Sequence, residues 1–87
     1  MMNIETKLTI SDLEDLLLLE INERVKKYFI VSKEEYSHFK ESDIELMKID
    51  RETLNEGFNV NSEAIVINLK SKLDFLIKLA EEDLLLQ

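Results

Sequence analysis

As a string of apolar and polar positions, the chain divides into segments with helical periodicity and shows little strand-like alternation. In the first, Leu13, Leu17, Ile21, Val25 and Tyr28 recur at spacings of four, four, four and three, the repeat that lines up side chains on one side of an α-helix. Leu16, Leu18 and Leu19 fall outside that stripe and spread the apolar surface around most of the circumference. Ser11 followed by Glu14 has the form of a capping box, whose hydroxyl and carboxylate satisfy orphan backbone N–H groups. Asp12, Glu14 and Asp15 crowd the positive end of the helix dipole, and Arg24, Lys26 and Lys27 the negative end. Together these signals predict a helix beginning after Thr9 or Ser11 and running from about Asp12 to Phe29.

The middle of the chain is less regular. Tyr28-Phe29-Ile30-Val31 reads either as the frayed end of the first helix or as a short strand. Ser32 with Glu35 repeats the capping-box form and predicts a short helix to about Lys40. Ser42 with Glu45 does so again, opening a helix from Asp43 to about Glu56, with Gly57 where a left-handed C-terminal cap belongs. Ile44, Met47 and Leu54 share a face of that helix and Ile49 lies off it. The two short helices also read as one bent helix.

Phe58 to Asn61 forms a connection, and Asn61 or Ser62 can cap a last helix from about Glu63 to Leu85. There Val66, Leu69, Leu73, Leu76 and Ala80 alternate spacings of three and four, the a/d pattern of a helix seam. Ile65, Ile67, Phe75, Ile77 and Leu79 lie around the rest, as on a helix covered on several sides or shared between subunits. The expected fold is all-α: one domain over residues 1–87, a small bundle of three main helices with a short additional segment near Ser32 to Lys40. The competing α+β pattern makes strands of residues 28–31, 44–49 and 64–69, but those runs lack strict alternation.

Composition sharpens this picture. Proline is absent and glycine occurs once, which suits helices and disfavours hairpins. A chain of 87 residues builds a thin core, and without cysteine it has neither disulfides nor thiolate metal sites to reinforce it. Oligomerisation is the remaining device, so a homodimer through the last helix and the first is expected. Val66, Leu69, Leu73 and Leu76 of the seam and the terminal Leu84, Leu85 and Leu86 are its candidate residues. The formal net charge of -8 repels phosphates and anionic membranes and favours a basic protein partner. No apolar run exceeds that of Leu16 to Leu19, and Met1 to Ile10 lacks the form of a signal peptide, so a cytoplasmic location is expected. Abundant lysine, isoleucine, asparagine and glutamate fit an AT-rich genome, as in many phages and mobile elements.

Candidate chemistry is sparse. Ser37 adjoins the one histidine, His38, but helix neighbours point in different directions, and no glycine-rich phosphate loop exists. Glu35-Tyr36-Ser37-His38 is a single Glu-x-x-His motif, where di-iron bundles use two; a homodimer could supply the second, with Glu34 or Glu41 nearby. Arg24, Lys26 and Lys27 beside Tyr28 and Phe29 resemble a small nucleic-acid patch, which dipole complementarity also accounts for. The chain is therefore expected to be non-enzymatic, with no catalytic residue, cofactor or metal: an inhibitor, regulator or adaptor of another protein, including one that itself binds nucleic acid. The partner surface is placed on Glu34, Glu35 and Glu41 and on Glu81, Glu82 and Asp83. An assembly subunit that packs through its apolar seams, and a small metal protein centred on Glu35 and His38, are the alternatives.

Overall fold

The a/d seam of the last helix organises the fold. In the computed structural model, which describes residues 10–34 and 38–86, the elements are α1 (Ile10–Lys33), α2 (Glu41–Asn55), one 3-10 turn (Val60–Ser62) and α3 (Glu63–Leu86). No strand occurs among the described residues. Val66, Leu69, Leu73, Leu76 and Ala80 of α3 are all buried, joined by Ile77, and both other helices pack against them. α1 contributes Leu18, Ile21, Val25 and Tyr28 to the same cluster, and α2 contributes Ile44, Met47 and Leu54. Each fully buried side chain of this kind stabilises the fold by about 1.5–3 kcal/mol. The direction alternates: α2 runs antiparallel to α3, with Arg51 against Asp74 and Lys48 against Glu81, while α1 runs alongside α3 in the same sense.

The seam expected to serve self-association is thus used within the chain. Val66, Leu69, Leu73 and Leu76 are covered by the chain's own helices, Leu84 is half-buried against the core, and Leu85 and Leu86 are exposed. On α1 the buried stripe lies slightly off the expected one. Leu18 replaces Leu13, which is half exposed, because the N-terminal part of α1 extends past the end of α2.

Local expectations also move. α1 is described from Ile10, so Ser11 lies within the helix and does not precede it. It continues to Lys33, which makes residues 28–31 helical; Tyr28 faces the core, and Phe29 and Val31 pack at its edge. Residues 44–49 and 64–69 are helical as well. The additional helix near Ser32 to Lys40 does not form among the described residues. Ser32 lies in the last turn of α1, its hydroxyl donating to the Phe29 carbonyl at 2.7 Å, and His38 to Lys40 are irregular; Glu35, Tyr36 and Ser37 lie outside the described residues. α2 starts two residues earlier than Asp43 because Asp43 reaches back to accept the Lys40 N–H at 2.9 Å, capping from inside the helix. Gly57 follows α2 with φ +98°, the left-handed conformation its position requires. In the turn before α3, Asn59 accepts the Asn61 N–H through its side chain, a role expected of Asn61 or Ser62.

One polar contact closes the third side of the core. Asp50 of α2 is 3% exposed and takes two hydrogen bonds from the Arg24 guanidinium of α1, each 2.8 Å. The bidentate geometry offsets the cost of drying the carboxylate. The hydrogen bonds to Asp50 also raise the Arg24 pKa, with desolvation acting against them. Nearby, Tyr28 tilts against Phe39, their centroids 6.4 Å apart.

Arg24→Met leaves Asp50 buried without its counter-charge. Because the Arg24 side chain keeps 30% exposure, the expected loss is about 2–3 kcal/mol in urea unfolding, and Arg24→Met combined with Asp50→Leu should recover most of it. Burial, followed by the carboxylates of Asp43 and Asp50, raises the Tyr28 pKa above its ordinary 10.0. The folded state therefore holds the phenolic proton more tightly, so this contribution is intact below pH 10.0 and is lost as pH rises through the folded-state value. Urea titrations between about pH 9 and 11 should show a shallower alkaline loss of stability in Tyr28→Phe than in the parent.

Candidate functional site

The two acidic segments, forty residues apart in sequence, meet at one end of the molecule because α2 starts where α3 finishes. The juncture is held by Asp83 of α3. Its Oδ2 accepts the backbone N–H of Phe39 at 3.1 Å and its Oδ1 lies 3.2 Å from His38 Nδ1, which ties the α1–α2 connection to the end of α3. Phe39 is thereby seated in the core, although its neighbours in sequence are exposed.

Beside this juncture an open groove of about 530 Å³ runs between α2 and α3. Glu41, Glu45 and Glu81 stand along it, and Ile44, Leu84 and Leu85 form its apolar lining. Lys48 lies in the groove too, its ammonium 3.1 Å from Glu81 Oε2. The positions follow from helix geometry. Glu41, Glu45 and Lys48 are four and three residues apart, so they form one edge of α2, next to the core-facing Ile44. Leu84 and Leu85 continue α3 for its final turn, one half-buried against the core and the other open to the groove. Three carboxylates against one ammonium, which Glu81 already holds, leave the groove net negative above an apolar lining.

The sequence-derived residues therefore separate into different roles. Glu41 and Glu81 come together in the groove. Asp83 is committed to the juncture, a structural role. Glu82 is exposed on α3 away from the groove, Glu34 is exposed just beyond α1, and Glu35 lies outside the described residues. Glu45, Ile44 and Lys48 were missed as site residues, and the signal for them was the edge they share with Glu41 on α2. The basic cluster dissolves: Arg24 is held by Asp50, and Lys26 pairs with Glu23 at 3.1 Å. Among the described residues no three histidine or carboxylate side chains converge in a way that could hold a metal ion. No described helix is long and apolar enough to cross a membrane.

No family model matches the chain, and no curated protein or solved structure is detectably similar to it. The groove's geometry therefore stands without a comparison.

Asp83→Ala removes both contacts at the juncture. The expected result is a stability loss of about 1–2 kcal/mol and faster hydrogen exchange at the Phe39 amide, with exchange in the middle of α2 slowed or quickened only as far as global stability changes.

Proposed function

We propose that this chain is a non-enzymatic protein–protein interaction module that takes a basic, amphipathic segment of another protein into the α2–α3 groove. The observation that carries this proposal is the convergence of Glu41, Glu45 and Glu81 around Ile44, Leu84 and Leu85. Such a site suits a helix or extended segment with one large apolar anchor flanked by lysine or arginine. Burying the anchor supplies affinity, and the carboxylates select the flanking charges and speed encounter. An open groove that both faces water and lacks a nucleophile offers binding more readily than catalysis.

The net charge of -8 extends the attraction beyond the groove. A protein with these properties can act as an inhibitor, adaptor or regulator of a basic target, including a target whose basic surface otherwise holds nucleic acid. Direct binding of nucleic acid or of an anionic membrane runs against the same charge.

The test is fluorescence anisotropy with a labelled amphipathic peptide that alternates leucine and lysine at helical spacing. Binding should weaken as salt rises and fall at least about tenfold in Glu41→Lys combined with Glu45→Lys, a loss near 1.4 kcal/mol. A peptide of the same apolar pattern with glutamate for lysine should not bind. Equal binding by the parent and the double variant would overturn the proposal.

A further inference from the structure

The α1–α3 side of the molecule has a pattern of its own. On α1, Leu19, Asn22, Lys26 and Phe29 recur at spacings of three, four and three. On α3, Ile65, Asn68, Lys72 and Phe75 recur at the same spacings. The two stripes lie level with one another. Leu19, Asn22, Ile65 and Asn68 line one groove of about 600 Å³, and farther along the rings of Phe29 and Phe75 stack with centroids 6.0 Å apart. Both stripes are a/d seams adjacent to the ones buried in the core, and this chain covers them only in part, with Phe29 packed at the core's edge. Leu19, Ile65 and Phe75 are 56%, 54% and 57% exposed.

Charge identifies the occupant. In a protein of net charge -8 this face is close to neutral: Lys26 is paired with Glu23, Asp15 lies at one end of the groove, and Lys72 lies toward the other end of the stripes. A basic partner is drawn to the opposite end of α3, about 23 Å away by the rise of the helix. A near-neutral surface of apolar side chains and amides is where two such acidic bodies can approach with the least like-charge repulsion. The amides add a second argument. A two-fold interface sets a patch against itself, so its polar groups must pair with their own kind. Asn22 and Asn68 each carry a donor and an acceptor, as that requires.

We infer that a second copy of this chain covers the α1–α3 face, pairing the stripes across a two-fold axis into a four-helix arrangement. Antiparallel packing sets Asp15, at one end of the groove, against the lysine end of the copy's stripes. The interface differs from the Val66–Leu76 seam, which the monomer has already buried, and it is independent of the acidic groove.

Sedimentation equilibrium on the full chain tests it. The parent should be dimeric at about 100 µM, and Leu19→Asp with Ile65→Asp should raise the dimer dissociation constant at least about a hundredfold. Circular dichroism should show unchanged helicity, since both side chains are exposed in the monomer. Asn22→Asp with Asn68→Asp is a milder variant that should weaken the dimer without adding bulk. Leu85→Asp with Leu86→Asp should leave the dimer intact, and the face variants should still bind the basic peptide. A monomeric parent would overturn the inference and leave the face to a different protein. So would a dimer that the face variants leave unchanged and the Leu85 and Leu86 variant dissolves.

Discussion

The fold depends on one constraint: α3 must serve two helices with a single apolar stripe. Val66, Leu69, Leu73, Leu76 and Ala80 lie along a line that faces the space between α1 and α2, and Ile77 widens it. Packing there is close enough that Leu73, Leu76 and Ala80 have no exposed surface. With so few core residues in a short chain, each carries a large share of the stability. The Arg24–Asp50 pair acts on the remaining side, where α1 and α2 meet, and it does so with a directional contact where apolar side chains are fewer.

That economy has a consequence at the surface. Three helices sharing one stripe make a long, thin body, 56 by 30 by 18 Å, and a thin body cannot cover all the apolar residues its helices carry. The excess is arranged in two places with different charge. At the end of α3 it is fringed by carboxylates, and on the α1–α3 face it is accompanied mainly by amides, with Asp15 at one end of the groove. Surfaces of such unlike electrostatics suit unlike partners, so the proposed basic target and the proposed second copy do not compete.

Much of this was legible in the sequence. The a/d spacing on α3 marked its buried face, and the positions Ile44, Met47 and Leu54 did the same on α2, because burial follows the 3.6-residue repeat whenever a helix has one covered side. Gly57 marked the end of α2 through the one backbone conformation that other residues adopt poorly. The acidic residues Glu41 and Glu81 were also visible as candidates. Their meeting was not, since no local rule connects positions forty residues apart; Glu45, one turn from Glu41 on the same edge of α2, was read only as a capping residue.

By itself, then, the sequence determined the three main helices, the inward faces of α2 and α3 and the sign of the surface, all of which arise from local periodicity, capping chemistry and composition. The tertiary structure decided which apolar residues are spent inside the chain and which remain outside. It buried the Val66 to Leu76 seam and left Leu19, Ile65 and Phe75 exposed, although both sets share the same spacing. It also gave Asp83 to the Phe39 juncture and Arg24 to Asp50. The physical reason is common to all of these: a helix shows its periodicity to any neighbour, and only the packing of whole helices against one another selects which stripe is covered and which charges are brought within reach.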